Sequence, residues 1–155
     1  MVKLDKNDLQ ILRVLQENCK LTAKQISRKI SSPITTVFAK IKRMEELGII
    51  KDYKAVLDAS KLEEGTTAFI LASFSYGSHG ALSQRKIAES ISKFSEVQEV
   101  HIITGNWDIL IKVKSKDVDE IGKFVVDKLR KVKGIEKTLT CMVFDTTKET
   151  SDIPI

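Results

Sequence analysis

The apolar residues of this 155-residue chain repeat with two different periods. Up to about residue 50 they recur every three or four positions, the spacing of one helix face. From residue 67 onward, runs that alternate at every second position are interleaved with helical stretches. Strand periods and helix periods mixed in this order predict a small all-helical module, residues 1–60, followed by an α+β module, residues 61–155. Charge divides the same way. Residues 1–60 hold 12 Lys and Arg against 7 Asp and Glu, a balance of +5, and residues 61–155 hold 14 of each. All of the excess positive charge therefore lies in the first module, the asymmetry expected when one of two modules meets a polyanion.

Three helices are predicted in that first module. Asp5 begins one that carries Leu9, Leu12 and Leu15 on one face and stops near Asn18. Thr22 and Gln25 form the T-x-x-Q of a capping box, in which each side chain satisfies the other's free backbone N–H. The short helix that follows buries Ile26 and Ile30. Ser31-Ser32-Pro33 breaks it, with Ser32 as N-cap and Pro33 as first residue of a third helix. Val37, Ile41 and Met44 point inward from that helix, and Gly48 ends it in a left-handed cap.

Two helices joined by so tight a turn form a helix-turn-helix. At 100° per residue, Thr35, Ala39 and Lys42 stand opposite the buried stripe of the third helix, with Thr36, Lys40 and Arg43 on one flank. Between residues 21 and 44 the chain carries Lys24, Arg28, Lys29, Lys40, Lys42 and Arg43 and no acid. Small hydroxyl residues near the helix start, with cations farther along, suit a helix entering a DNA major groove, where carboxylates would meet phosphate repulsion. A basic helix face is by itself ordinary solvated surface. The confinement of charge, the Ser-Pro start and the T-x-x-Q cap together favour double-stranded DNA as partner.

"IIKDYKAVLD", 49–58, is rich in strand formers and is expected to be a strand leading out of this module, with 59–67 a linker. In the second module Ala68, Ile70, Ala72, Phe74 and Tyr76 share one strand face. Gly77-Ser78-His79-Gly80 is a turn. Residues 81–94 form a helix burying Ile87, Ala88, Ile91 and Phe94. Strands at 97–104 and 107–114 are joined at Gly105-Asn106, a hairpin signal. Asp117 opens a helix bearing Val118, Ile121, Val125 and Leu129, Gly134 closes it, and a last strand at 135–144 places Ile135, Leu139, Cys141 and Val143 on one face. The order is βαββαβ, a ferredoxin-like arrangement with both helices on one face of a four-stranded antiparallel sheet. The other face, with Phe69 and Leu71, would then be partly apolar and uncovered, and a second copy of the same sheet is its simplest cover.

Cys19 and Cys141 have no neighbouring Cys or His at metal-ligand spacing and read as buried hydrophobes, so neither a metal nor a cofactor is expected. No apolar run approaches the ~20 residues of a membrane helix, and no signal-peptide core precedes the first helix; a cytoplasmic, nucleoid-associated protein is expected. His79 and His101 lack a carboxylate partner at motif spacing, and no nucleophile-elbow, phosphate-loop or zinc-protease motif is present, which argues against an enzyme. Lysine outnumbers arginine 21 to 5, which fits an archaeal or thermophilic source.

"LDKNDLQILRVLQEN", "SSPITTVFAKIKRMEELGIIKDYKAVLD" and "TGNWDILIKV", in this order and spacing, resemble the Lrp/AsnC feast/famine transcription regulators. The resemblance covers nearly the whole chain. It implies a winged-helix-like N-terminal helix-turn-helix that binds pseudo-palindromic DNA, and a C-terminal domain that dimerises and assembles into tetramers or octamers. Half-sites would lie about one helical turn, ~10 bp, or a multiple of that apart. It implies that Ser32, Thr35, Thr36, Lys40, Lys42 and Arg43 face DNA. Family members commonly have Arg at the position of Lys40, and lysine is a point charge without the two-pronged guanine contact. The family's amino-acid effector would correspond to Gly105, Asn106, Trp107 and Asp108 facing Thr138 and Thr140. There Asp108 would pair with an ammonium; equally, Gly105-Asn106 is a plain hairpin turn and Asp108 its acceptor. The family often has an acid where Asn106 stands. A nonspecific DNA-architectural protein and a small-molecule sensor without a DNA role are the alternatives.

Overall fold

A computed structural model describes residues 3–75 and 83–155. Tyr76, the turn 77–80 with His79, and the start of the helix expected at 81 lie outside the described residues. The chain divides into two compact units, residues 1–56 with 149–155, and residues 57–148. The last seven residues thus return to the unit in which the chain begins. There Gln16 on the first helix donates from Nε2 to the Ile153 carbonyl (3.0 Å) and accepts the Ile153 N–H at Oε1 (2.7 Å).

In the first unit α1 spans Lys6–Glu17, α2 Ala23–Ile30 and α3 Ile34–Glu46. Capping sets their starts. Asp5 accepts the Asp8 N–H, and Asp8 in return accepts the Asp5 N–H, both at 2.9 Å. Thr22 and Gln25 make the expected reciprocal box. At the end of α3, Gly48 takes φ +67°. Its N–H reaches the Glu45 carbonyl, and the Ile49 N–H reaches that of Met44 (both 2.9 Å), the paired bonds of a Schellman motif. The core is Ile11, Ile26, Val37 and Met44, all fully buried, with Leu12, Leu15, Ile30 and Ile41 packed around it. The buried centre of α1 is Ile11, not the Leu9–Leu12–Leu15 stripe expected. A leucine-rich helix offers several overlapping stripes, and the one facing α2 and α3 wins.

Three local expectations are corrected here. Ser32 does not cap α3: Pro33 occupies the N-cap and the helix begins at Ile34. Ser32 is instead held back to α2, its N–H on the Ser27 carbonyl (3.1 Å) and its carbonyl on the Ser27 hydroxyl (2.6 Å). Residues 49–58 form no strand. Val56 is 97% exposed, and a β-rich segment without a pairing edge has no ladder to join. Where a plain linker was expected, Ala59–Leu62 form a short 3-10 turn, capped by Asp58.

An ionic cluster ties α3 to α1. Asp8, 1% exposed, receives Lys40 Nζ on Oδ1 at 2.9 Å, and Asp5 receives the same ammonium at 2.5 Å. Arg43 Nη1 lies 3.7 Å from Asp8 Oδ2. The hydrogen bond from Lys40 holds the Asp5 carboxyl below its usual range, and Asp5 and Asp8 push the Lys40 ammonium up. Beyond α3, Tyr53 donates its hydroxyl to Glu45 Oε1 (2.7 Å).

The second unit is a four-stranded antiparallel sheet of order β2-β3-β1-β4, with β1 Thr66–Phe74, β2 Val97–Ile102, β3 Ile109–Ser115 and β4 Ile135–Met142. Helices α4, Gln84–Ile91, and α5, Val118–Lys123, cover one face. α5 runs on through a wide π-type turn, Phe124–Lys128, and a tight one, Leu129–Lys131. The core joins Ala68, Ile70, Ala72 and Phe74 of β1 with Ile109, Ile111 and Val113 of β3, Ile87 and Ile91 of α4, and Ile121, Phe124, Val125 and Leu129. Phe124, not Val118, completes the stripe. It meets Phe94 edge-on at 5.7 Å, while Val118 is 60% exposed. Gly134 has φ +98°, and a Cβ there would come 2.6 Å from Ile87 Cδ1 and 3.0 Å from the Phe74 ring, so this turn admits only glycine.

β4 reverses an expectation. Phe74 pairs with Ile135 but Ser73 with Lys137, so Glu136 is an extra residue, a β-bulge. After it the parity flips. Thr138, Thr140 and Met142 stand on the helix side, and Leu139 and Cys141 on the open face, where both are exposed. Cys141 is therefore not a buried hydrophobe.

Replacing Asp8 with Ala should lower stability by roughly 3 kcal/mol, because a largely buried ammonium then keeps only one carboxylate. Chemical denaturation followed by circular dichroism checks this, and a loss under 1 kcal/mol would mean that solvent replaces Asp8 at no cost. Burial and Glu45 push the Tyr53 phenol up to about 12. A raised pKa favours the neutral form in the folded state, so this contribution is whole below pH ~10 and is lost as pH climbs toward 12. The phenolate absorbance lost in Tyr53→Phe should be centred near that upper value; a midpoint near 10 would show a phenol free of Glu45.

Candidate nucleic-acid interface and effector site

On α3 the side of the helix away from Val37 and Met44 carries two adjacent rows at four-residue spacing, Ile34–Phe38–Lys42 and Thr35–Ala39–Arg43. All six are exposed. The helix enters this surface through the three-residue turn Ser31–Pro33, with Ser31 left-handed at φ +52°. The acid-free sequence from Leu21 to Met44 thus becomes α2, the turn and α3.

The expected DNA-facing residues divide into two groups. Thr35 and Lys42 are exposed on the outer rows, with the Lys42 side chain 66% exposed and loosely opposed by Glu46 at 3.9 Å. Thr36 is half-buried, and Arg43 is exposed but near Asp8. Ser32 and Lys40 are placed otherwise. Ser32 is 9% exposed and belongs to the turn. The Lys40 side chain is 16% exposed and its ammonium is already held by two carboxylates. Sequence reasoning distinguished Lys40 only as a lysine where the family commonly has arginine, and turned all three cations of α3 toward DNA. The signal that separates Lys40 lies in α1: Asp5 and Asp8, three apart in a capping box, present two carboxylates together. Ile34 and Phe38, 46% and 63% exposed, were also missed, although their four-residue spacing places them beside Lys42.

Of the expected effector residues, Asp108 and Thr138 flank Ala72 of β1. The chain from Ile103 to Asp108 links β2 to β3, with Gly105 at φ +119°. Gly105 and Asn106 are exposed; Trp107 and Asp108 are half-buried. Asp108 is firmly held. Its N–H donates to the Ala72 carbonyl (3.0 Å) and its carbonyl accepts the Ile103 N–H (2.9 Å). Its carboxylate accepts the Phe74 N–H at 2.7 Å and Gln84 Nε2 at 3.1 Å. On the other side of β1, Thr138 pairs with Ala72 and Thr140 with Ile70. Thr138 Oγ1 also accepts from Arg130 Nε at 3.3 Å. The structure therefore brings Asp108 and Thr138 to one level of the sheet and leaves Thr140 two residues along. Gln84 and Arg130, from helical segments that sequence reasoning did not connect to this site, complete the polar set. An open cavity of about 520 Å³ lies elsewhere in this unit, lined by Ser60, Glu63, Gly65, Lys116 and Asp117.

Among the described residues no helix is long and apolar enough to cross a membrane. No cluster of three or more His, Cys, Asp or Glu among them could hold a metal ion.

Residues 4–51 match the family of winged helix-turn-helix DNA-binding domains, and residues 67–153 match the Lrp/AsnC ligand-binding domain. An uncharacterized HTH-type transcriptional regulator of Pyrococcus abyssi is 44% identical over 146 residues, which is 94% of this chain and 96% of that protein. The HTH-type transcriptional regulator FL11 of Pyrococcus horikoshii is 31% identical over 154 residues, 99% of this chain and 98% of that one. Among solved structures, a transcriptional regulator of Neisseria meningitidis in complex with L-Met has a TM-score of 0.90 and 30% identity, covering 98% of this chain and 97% of that one. An N-terminal helix-turn-helix, a βαββαβ domain with the matching profile, and relatives aligned from end to end lead to one conclusion: the chain belongs to the Lrp/AsnC family of transcriptional regulators.

Proposed function

We propose that this regulator binds pseudo-palindromic double-stranded DNA as a dimer or higher oligomer, with α3 in the major groove of each half-site. The observation that carries the reading is the exposed face of α3, where Thr35, Lys42 and Arg43 stand free of the core, inside a segment from Leu21 to Met44 that has no acid. Cations there bind phosphate by releasing condensed counterions, and Thr35 and Thr36 lie near the helix start, where base edges are met. Lys40 has a different task in this reading. It secures α3 through Asp5 and Asp8, so it positions the recognition helix. The 1–60 and 61–155 division of labour follows, DNA in the first module, and assembly and effector in the second.

The open face of the sheet supports self-association. Phe69, Leu71 and Leu139 form an apolar centre, with Leu71 paired to Leu110 and Leu139, and Lys112, Glu99 and His101 lie beside it. Lys112 and His101 share the Glu99 carboxylate, at 3.2 and 3.0 Å. A second copy of the same face covers this surface and brings two copies of the chain, each with its own helix-turn-helix, into one assembly.

An amino-acid-like effector fits the loop 103–108 less directly. The Asp108 carboxylate already holds Phe74 and Gln84, and each of its oxygens keeps one further acceptor position for an ammonium. The Neisseria relative's L-Met complex favours an amino acid. The place of action is the cytoplasm, on the nucleoid.

Lys42→Ala should flatten the plot of log affinity against log salt by about 0.9 per half-site, one phosphate contact. Unchanged affinity and slope would remove α3 from the interface. The full chain should sediment as a dimer or larger at micromolar concentration. Leu139→Lys, which puts a charge in the centre of the open face, should weaken that association at least tenfold; a parent protein that sediments as a monomer would overturn the sheet-face interface.

A further inference from the structure

The outer rows of α3 have an unusual chemistry for a base-reading surface. From Ile34 to Ala39 the sequence is ITTVFA. Val37 is fully buried, which leaves Ile34, Thr35, Thr36, Phe38 and Ala39. None of these is Arg, Lys, Asn, Gln, Asp or Glu, the side chains whose hydrogen bonds single out guanine, adenine or cytosine in the major groove; the Thr35 and Thr36 hydroxyls can bond a base edge but do not by themselves discriminate. The nearest cations, Lys42 and Arg43, come two turns into the helix, and Lys40 is held by Asp5 and Asp8. Besides the threonine hydroxyls, what the first two turns present outward is methyl groups and one phenyl ring. Phe38, at 63%, is the most exposed large hydrophobic of the helix, and Ile34 at 46% lies one turn before it. Two large apolar side chains exposed one turn apart make an apolar patch on a helix that ends in cations, and an apolar partner would cover it. The major groove offers one apolar feature, the 5-methyl group of thymine.

Resting on the DNA-binding reading above, we propose that Phe38, with Ile34 and the methyls of Thr35 and Ala39 around it, is the specificity-determining residue of α3 and selects thymine in each half-site through its 5-methyl group. Base recognition by the first two turns is then a matter of desolvating methyls, while phosphate attraction by Lys42 and Arg43 sets the depth of the helix. Adenine on the opposite strand follows by pairing, without a hydrogen bond to it.

Replacing thymine with deoxyuridine removes that methyl and leaves base pairing intact. The probe is the tightest duplex recovered from a random-sequence library, synthesised once with thymine and once with uracil at every T position. The parent protein should bind the uracil duplex more weakly, by about fourfold for each methyl lost, the value of one buried methylene-sized group, and so about 15-fold over two half-sites. Phe38→Ala should bind both duplexes equally, at the affinity of the parent for the uracil form. Phe38 is exposed, so this variant keeps its fold, and circular dichroism checks that. Equal binding of both duplexes by the parent overturns the inference and leaves the regulator reading intact. An equal weakening of Phe38→Ala on both duplexes also overturns it, since the ring would then touch the sugar-phosphate backbone or the protein itself. A library from which no duplex is recovered sinks both.

Discussion

The position of α3 depends on a buried carboxylate. Asp8 lies on the first turn of α1, closes the helix cap with Asp5, and holds Lys40 across the helix interface. A carboxylate so far from water is costly unless it is hydrogen-bonded and paired. Here one backbone N–H, one ammonium and one nearby guanidinium share it. The same group therefore starts one helix and fixes the rotation of another. Hydrophobic contacts between Ile11, Ile26, Val37 and Met44 supply most of the adhesion, but apolar packing is tolerant of small rotations. An ammonium that must stay within hydrogen-bond reach of both Asp5 and Asp8 is less so. Rotation of α3 decides which residues face outward, so the identity of its exposed face traces back to Asp5 and Asp8.

The second unit uses the same device at Asp108. Its carboxylate ties the β2–β3 connection to the end of β1 through Phe74 and to the start of α4 through Gln84. In each unit an acid is already at work inside the fold: Asp8, to which sequence reasoning assigned no role, and Asp108, which it left as either an ammonium partner or a turn acceptor. The difference lies in what remains. Asp8 is closed off, whereas Asp108 is half-buried and keeps acceptor capacity, so an effector there would add to an existing arrangement and stiffen it.

Where local chemistry decides, the sequence was readable. T-x-x-Q gave the start of α2 because the box is made of its own residues, and Gly48 and Gly134 took the positive φ that their turns require. The buried faces of β1, α2 and α3 followed from period alone. The misreadings share a cause, namely that a partner distant in sequence decided them. Period counting runs straight through β4, but the bulge at Glu136 exchanges its faces, and nothing in IEKTLTCM announces an extra residue. Residues 49–58 have the composition of a strand, and only an edge to pair with would make them one. Lys40 looks like its neighbours Lys42 and Arg43 until Asp5 and Asp8 are brought beside it. The site is legible to the same degree: Thr35 and Lys42 stand where the helical wheel puts them, while Gln84 and Arg130 reach Asp108 and Thr138 from elements that no spacing rule connects.

If α3 reads DNA as proposed, taking Lys40 out of the pool of free cations changes what kind of reader it is. A helix that meets DNA with many mobile lysines gains affinity everywhere, since each phosphate contact is worth the same on any sequence. Tying one cation into the protein lowers that uniform term and raises the share of binding that depends on base edges. The outer rows then matter more, and those rows begin with Ile34, Thr35, Phe38 and Ala39 before any charge appears. Discrimination is a difference between affinities, and it is enlarged as readily by trimming the common part as by adding a specific contact. With α3 in the groove as proposed, the internal ion pair and the apolar start of the helix would act in the same direction, toward a regulator that chooses sites and away from one that coats DNA indifferently.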